Sequence, residues 1–327
     1  MKMGVHGQPA RLWVFSNLSL IASILVVAFW LCAARDGRAE EFKECERLDD
    51  LQARAANHDV DAQRTLGFWA REGICMPKDR AKAIRFFEPI SSKDPYLAQA
   101  LAEVYLDPKH PPAADVKRAL DLLNENARNG YAPSQTLLGS VYAEGVLVDK
   151  NLPKAYELFV QAADKNPTAK YNLAEMYNDG AVVKRDPSKA LSLAKEAEEA
   201  GAVSAMSGLC SAYYRGDAFG VASDLRVAYP YCYKAASYGD LPSMNRLGSI
   251  YIKAGNKASN NQKAVKWLRR SAEAGQREAQ YVLGMLLLKG LLDGIPANPK
   301  EGIRYLKQAA AQGHEEAKKV LEESQAR

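Results

Sequence analysis

Apolar residues recur at spacings of three and four along most of this chain, in two successive segments separated by a short polar stretch. Spacing of this kind places apolar side chains on one face of an α-helix. The two segments therefore predict a pair of amphipathic helices, here called helix A and helix B, and the pair recurs along the chain. The leucine that anchors helix A returns after 35 to 38 residues, at Leu66, Leu101, Leu138, Leu173, Leu209, Leu247 and Leu283.

A small residue follows each anchoring leucine, at Gly67, Ala102, Gly139, Ala174, Cys210, Gly248 and Gly284. A small side chain here allows helix A to approach helix B closely, so the position is predicted to serve packing. Tyrosine also recurs at one position of helix A, at Tyr142, Tyr177, Tyr213 and Tyr251, which indicates core residues. A helix pair that repeats and stacks on its neighbours predicts an all-α fold, an α-solenoid of about seven antiparallel pairs.

Polar residues mark the predicted start of each helix B, since Asp or Asn lies four residues before its small packing residue, at Asp79, Asp115, Asn151, Asp186, Asp224, Asn260 and Asn298. A side-chain oxygen at this place accepts hydrogen bonds from the free amides of the first turn. All seven residues are therefore predicted N-caps. The helix pairs occupy residues 58–313, and the half-units at 40–57 and 314–327 are predicted to be helices that cap the two ends.

The repeated unit has a recognisable order of residues: Ala-x3-Leu-Gly-x2-Tyr-x2-Gly, then Asp-x2-Lys-Ala, then a closing Ala-Ala-x2-Gly. This order resembles the Sel-one-like repeat family over residues 58–327. The resemblance implies a right-handed α-solenoid, related to tetratricopeptide repeats, that binds other proteins or peptides. It also implies a role as an exported bacterial adaptor, scaffold or regulator. Three repeats depart from the pattern, through Pro89, through Pro230 and through the proline-rich link at 107–112, and are predicted to be bent or loosely packed.

The first forty residues have the pattern of a targeting segment. Residues 12–31 contain no charge, Lys2 and Arg11 precede them, and Arg35 follows. The length is enough to cross a membrane once, and the purer apolar core near its end is typical of a signal peptide. Residues 1–39 are therefore predicted to be a signal peptide or a signal anchor. The protein is expected in the periplasm, either after cleavage near Ala39 (Ala34 being the other candidate) or anchored to the inner membrane by residues 12–31.

The cysteines agree with export. Apart from Cys32, in the targeting segment, four remain, and an even number suits disulfides in an oxidising compartment. Cys45 and Cys75 are expected at the same edge of neighbouring antiparallel helices, and Cys210 and Cys232 on the facing helices of one repeat. The predicted disulfides are therefore Cys45–Cys75 and Cys210–Cys232. The four histidines are scattered and no close cysteine pair occurs, so no metal site and no cofactor are predicted.

The net charge and the sequence motifs limit the classes of function that this chain can have. Against 39 acidic residues the chain has 44 Lys and Arg, a net charge of +5, which gives no concentrated basic surface for nucleic acid. The targeting segment is the only predicted contact with a membrane. A single S-x-x-K sequence, Ser192 to Lys195, resembles part of a β-lactamase motif, but its companion motifs are missing. A protein that binds a protein or peptide partner without catalysis is therefore the leading hypothesis, and a cell-wall-directed hydrolase is the alternative.

One further stripe of helix A falls outside the packing frame, two residues before the anchoring leucine and two or five residues after it. We call it the A-helix stripe, and we expect it to face the concave side of the solenoid. Aromatic and arginine side chains dominate binding hot spots, and Phe68 with Arg71 and Tyr171 with Glu175 are the predicted anchors. The full set of predicted partner-binding residues is Arg64, Phe68, Arg71, Gln99, Glu103, Tyr171, Glu175, Asn178, Tyr214, Asn245 and Tyr281.

Overall fold

In the computed structural model, residues 45–107, 111–255 and 257–325 are described. They form sixteen α-helices and one 3-10 helix, and no strand occurs within these ranges. The chain divides into two compact units on either side of the boundary between Asn166 and Pro167. Within the described ranges, no helix combines the length and apolarity needed to span a bilayer. The predicted targeting segment lies outside them.

The first unit begins with α1 (Leu48–Ala56), which covers one end of the helix pairs. Three pairs follow, each made of a helix A and a helix B: α2 (Val60–Glu72) with α3 (Arg80–Phe87), α4 (Pro95–Leu106) with α5 (Ala113–Arg128), and α6 (Ala132–Glu144) with α7 (Leu152–Ala162). Helix α3 ends before Pro89, and the chain continues as a 3-10 helix over Glu88–Lys93. Proline has no backbone N–H to donate, which favours this early end.

The second unit contains four pairs and a final helix. The pairs are α8 (Pro167–Asp179) with α9 (Pro187–Glu199), α10 (Val203–Arg215) with α11 (Leu225–Ser237), α12 (Leu241–Lys253) with α13 (Ala258–Glu273), and α14 (Arg277–Lys289) with α15 (Pro299–Ala311). Helix α16 (Glu315–Gln325) covers the last pair. Pro230 lies inside α11 without ending it. Both units confirm the predicted all-α solenoid fold of seven helix pairs with a capping helix at each end.

The small residue after the anchoring leucine lies where helix A meets helix B, as predicted. A Cβ added to Gly139 would come within 2.6 Å of the Phe159 ring, and one added to Gly67 within 2.6 Å of the Phe87 ring. The corresponding contact at Gly248 is to Leu268. Glycine is therefore required by the bulk of the facing side chain, and the position serves packing.

In the fifth pair a disulfide occupies this contact. Cys210 on α10 is bonded to Cys232 on α11, so a covalent bond replaces the contact between a glycine and a large side chain. A second disulfide joins Cys45, just before α1, to Cys75 in the connection after α2. Both predicted pairings are confirmed.

Five of the seven predicted N-caps are confirmed, because the side chains of Asp79, Asn151, Asp186, Asp224 and Asn298 accept hydrogen bonds from amides of the first turn. The other two predictions are wrong. Helices α5 and α13 begin three residues earlier than the pattern indicated, so Asp115 and Asn260 lie inside their first turns. Asp115 instead accepts a hydrogen bond of 2.6 Å from Arg80 Nη2.

Candidate protein-binding surfaces

In the first unit, the predicted binding residues contact one another. Arg71 Nη1 on α2 lies 2.8 Å from Glu103 Oε2 on α4, and Arg71 Nε lies 2.7 Å from Glu72 Oε1. Gln99 Nε2 donates to the second Glu103 oxygen at 2.9 Å. Burial opposes the charge of Arg71, but Glu103 and Glu72 outweigh it and raise the pKa of Arg71. The arginine is thus held as a cation by two carboxylates of its own chain.

This network continues into the third helix pair. Ser134 Oγ on α6 donates to Gln99 Oε1 at 3.1 Å, and Asn126 Nδ2 on α5 donates to Ser134 Oγ at 3.1 Å. Ser134 and Asn126 are buried. Because buried polar groups are costly when unpaired, the chain of hydrogen bonds fixes the side chains of Gln99 and Glu103. These polar members of the A-helix stripe join one repeat to the next.

The two other predicted residues of the first unit are also engaged. The Phe68 ring packs edge-on against Phe87 at 5.0 Å between centroids, and the Arg71 guanidinium lies 5.3 Å from the Phe68 centroid. Arg64 Nη1 pairs with Asp61 on its own helix at 3.0 Å, while Arg64 Nε is shielded from water and has no hydrogen-bond partner among the described residues. Phe68 and Arg64 remain partly exposed. A partner could therefore reach only parts of these two side chains without disturbing the contacts within the unit.

In the second unit, the predicted anchor Tyr171 is only 7% exposed. Its hydroxyl donates to Glu175 Oε1 at 3.0 Å, and its ring lies over Gly208 of α10, where a Cβ would collide with it. Burial, followed by Glu175, raises the pKa of the Tyr171 hydroxyl well above its ordinary value. Asn178 Oδ1 accepts from the Phe219 amide at 2.7 Å. These residues line the stripe, and their contacts fix their positions.

The remaining predicted residues, Tyr214, Asn245 and Tyr281, are partly exposed. The Lys253 ammonium lies 4.7 Å from the Tyr214 ring centroid, and Tyr281 stacks on His314 at 4.2 Å. Asn245 Oδ1 is shielded from water and has no hydrogen-bond partner among the described residues.

Small residues occupy the stripe of α10, with Ser207 two residues before Leu209 and Ser211 two residues after it. Larger side chains stand at the same positions of the neighbouring helices A, such as Tyr171 on α8 and Asn245 on α12. The stripe of the second unit therefore combines small serines, aromatic rings and a side-chain oxygen, Asn245 Oδ1, that lacks a hydrogen-bond partner among the described residues.

A second aromatic cluster, which was not predicted as a binding surface, lies on α11 and its neighbours. Tyr229 and Tyr233 are 37% and 47% exposed. Their rings stack at 6.1 Å, Tyr229 packs against Tyr251 at 5.8 Å, and Tyr233 against Trp267 at 6.1 Å. The spacing of four residues from Tyr229 to Tyr233, next to the buried Ala228, is the sequence signal that could have revealed it.

The chemistry considered for the hydrolase alternative finds little support. Ser192 lies exposed on α9, and its hydroxyl donates to Glu196 Oε1 at 3.2 Å. A serine nucleophile of the S-x-x-K type needs its hydroxyl directed to a base, whereas this contact lies within one exposed turn of a helix. Among the described residues, no three His, Cys, Asp or Glu side chains come together to hold a metal ion.

The repeat is confirmed by comparison with known families. The Sel1 repeat matches residues 60–94, 132–167, 167–201, 203–240, 241–276 and 277–314. Together these matches cover more than half of the chain, and the protein belongs to the Sel1 repeat family. Residues 95–131, between the first two matches, nevertheless form the helix pair α4 and α5. Sel1 repeat proteins mediate contacts between proteins, and their fold is generally a non-enzymatic scaffold.

Solved structures show the same fold. A Sel1 repeat protein from Oxalobacter formigenes superposes with a TM-score of 0.61 at 22% identity, over 98% of this chain and 97% of that chain. A protective antigen of uropathogenic Escherichia coli that displays the SLR fold gives a TM-score of 0.53 at 23% identity, over 92% of this chain and 65% of that chain.

Curated relatives are larger proteins. Chitin synthase regulatory factor 3 of Schizosaccharomyces pombe is 24% identical over 63% of this chain and 31% of its own length. An F-box protein of Arabidopsis thaliana is 33% identical over 33% of this chain and 28% of its own length. This chain thus spans less than a third of either curated relative.

Proposed function

We propose that this chain is an exported, non-enzymatic scaffold that holds a protein or peptide partner on the A-helix stripe of its second unit. It would act as an adaptor, scaffold or regulator in the bacterial cell envelope. The observation that carries the proposal is the combination found on α10, α12 and α14: partly exposed Tyr214 and Tyr281, the unpartnered Asn245 oxygen, and small serines between them. Aromatic rings beside polar groups are the composition typical of binding hot spots.

The second unit is favoured over the first as the binding surface because its stripe residues make fewer hydrogen bonds and ion pairs with one another. In the first unit Arg71, Gln99 and Glu103 satisfy one another, so a partner would have to break these contacts before it could form its own. In the second unit Asn245 Oδ1 has no partner to lose. If Asn245 turned this shielded oxygen outwards, a hydrogen bond from a bound chain would relieve its desolvation, which costs on the order of 1 to 3 kcal/mol for a buried unsatisfied group.

Export is supported by the two disulfides, since such bonds persist in oxidising compartments and are rare in the cytosol. The uncharged run at residues 12–31 supplies the segment for translocation, as a cleaved signal peptide within residues 1–39 or as an anchor. Two results test this part: periplasmic recovery of the chain with all four cysteines protected from alkylation, and loss of both properties when residues 12–31 are deleted.

Partner binding is tested by site-specific photo-crosslinking in cells of the native organism. A benzophenone amino acid replaces Ser211 on the A-helix stripe, and as a matched control it replaces Ser192 on helix B of the same unit. We expect a defined crosslinked protein from position 211 and none from position 192. Crosslinks confined to helix B, for example from position 233 in the aromatic cluster of α11, would contradict the proposal and transfer the binding surface to that cluster.

A further inference from the structure

Arg246 on α12 is a partly buried cation that lacks an anionic partner. Its Nη1 is shielded from water and makes no hydrogen bond, while the side chain as a whole keeps partial exposure. Among the described residues, no carboxylate lies within the 4.0 Å of an ion pair to this guanidinium. Burial, and after it the nearby cation Arg215, lower the pKa of Arg246. The fold therefore desolvates this charge without an ion pair, and only the longer-range attraction of acids such as Asp240 and Asp217 offsets the desolvation.

Arg71 is a buried arginine of the same chain that does have carboxylate partners, and it serves as the comparison for Arg246. Two carboxylates, Glu72 and Glu103, hold the Arg71 guanidinium at 2.7 and 2.8 Å. Two carboxylates, Asp240 and Asp217, attract the Arg246 charge, and each of them contacts other groups. Asp240 accepts hydrogen bonds from Ser207 Oγ at 2.9 Å and from the Ser243 amide, and Asp217 lies 3.8 Å from Arg215.

The surroundings of Arg246 belong to the A-helix stripe of the second unit. It follows Asn245, whose side-chain oxygen is also without a partner. Its positive charge acts to lower the pKa of the buried Tyr171 hydroxyl on α8, against the larger effects of burial and of Glu175, which raise this pKa. Gly208 of α10, which lacks a side chain, lies under the Tyr171 ring. Arg246 thus places a positive charge beside small residues, on a surface that also carries the unpartnered Asn245 oxygen.

We propose that Arg246 is the recognition residue for a carboxylate of the bound partner, supplied by an acidic peptide segment. The guanidinium presents parallel N–H donors that match a carboxylate with two hydrogen bonds. Asn245, the preceding residue, adds a side-chain oxygen that has no hydrogen-bond partner among the described residues. This inference rests on the proposed function, because the acidic segment would belong to the partner that the stripe holds.

The test uses the full-length oxidised chain and two fluorescent peptides of equal length, oligo-glutamate and oligo-glutamine, each with an amidated C terminus. Fluorescence anisotropy should show binding of oligo-glutamate and much weaker binding of oligo-glutamine. Arg246→Gln and Arg246→Met should each weaken oligo-glutamate binding by about tenfold or more, since a charge-assisted hydrogen bond is lost. Arg226→Gln removes the same charge from a side chain that is 96% exposed on α11, and should change the affinity less than about twofold.

Thermal unfolding separates recognition from folding. Because Arg246 has no partner within the unit, Arg246→Gln and Arg246→Met should unfold at the same temperature as the unchanged chain or at a higher one. Three results would overturn the inference: failure of the unchanged chain to distinguish the two peptides, equal losses from Arg246→Gln and Arg226→Gln, and displacement of oligo-glutamate by inorganic phosphate at equal concentration, which indicates a general anion site.

The two proposals fail in different ways. If position 211 still crosslinks a partner while Arg246→Gln leaves oligo-glutamate binding unchanged, the carboxylate inference is wrong and the A-helix stripe stands as the binding surface. If position 211 gives no crosslink, the proposed surface is wrong, and the peptide measurements still decide whether Arg246 binds carboxylates.

Discussion

Arg71 of α2 and Glu103 of α4 form a buried ion pair of 2.8 Å that joins the helices A of the first two repeats. Their side chains are 9% and 17% exposed. Both residues were predicted to contact a partner, and the structure gives them an internal contact. Removing one member of a buried ion pair leaves the other charge unpaired, which is more costly than the net contribution of the intact pair.

Arg71→Ala is therefore expected to lower the free energy of unfolding by about 3 kcal/mol. The measurement is denaturant unfolding followed by circular dichroism. Arg64→Ala on the same helix is the matched control, because Arg64 pairs with the exposed Asp61 and should cost about 1 kcal/mol or less. Equal losses in the two variants would show that the buried pair has no special role.

Gly139→Ala is expected to destabilise the first unit, since its Cβ would lie 2.6 Å from the Phe159 ring. Overpacking of this kind costs about 1 to 3 kcal/mol. The collision requires the Phe159 ring, so Gly139→Ala should cost less in a Phe159→Ala background than in the unchanged chain, as measured by the denaturation midpoint. An equal cost of Gly139→Ala in the two backgrounds would contradict the steric explanation.

Glu144, at the end of α6, should make stability depend on pH. Burial raises the pKa of Glu144 from 4.5 to about 7, so the folded chain favours the protonated carboxyl. The stability that this group contributes is fully present below pH 4.5 and is lost as the pH rises through about 7.

Glu144→Gln should accordingly unfold at a higher denaturant concentration than the unchanged chain at pH 8, and the difference should shrink at pH 5. The gain at pH 8 is on the order of 1 kcal/mol, because solvent screens a partly exposed carboxylate. Glu157→Gln, which removes an exposed carboxyl from α7, serves as the control and should show little change with pH. A gain at pH 5 that equals the gain at pH 8 would refute the assignment.

Replacing Cys210 and Cys232 together by alanine should lower the free energy of unfolding by about 3 kcal/mol, through the greater freedom of the unfolded chain. The bond takes the place of a packing contact between helix A and helix B, so its loss also leaves a gap in the core of the second unit. Unfolding with and without a reducing agent measures the effect. Reduction should destabilise the double variant less than the unchanged chain, because only the Cys45–Cys75 bond remains to be reduced. Unchanged stability on reduction of both disulfides would contradict it.

The fold could be predicted because its determinants recur. The anchoring residues Leu66, Leu138 and Leu247 are at most 1% exposed, and both disulfides join the predicted cysteines. A periodic arrangement of apolar and small residues fixes which faces are buried, since every repeat must satisfy the same packing.

The hydrogen-bond and ion-pair partners of the polar residues could not be predicted in the same way. The partner of Arg71 is one repeat away in the chain, and whether its long side chain reaches Glu103 or solvent depends on rotamers that no sequence pattern specifies. A partial signal did exist. Charged pairs one repeat apart recur, as in Arg80 with Asp115 and Lys234 with Glu198, at separations of 35 and 36 residues. Arg246 stands out in the structure because it lacks such a partner.

The Cys45–Cys75 bond should give α1 and α16, at the two ends of the described repeats, different local dynamics. At the beginning, α1 is covalently tied to the connection that follows α2. At the other end, α16 is held by noncovalent contacts such as those of the buried Ala317. Terminal repeats have neighbours on one side only and open more readily than internal ones. Amide exchange should therefore begin at α16 and advance towards lower residue numbers, while α1 exchanges slowly until the disulfide is reduced.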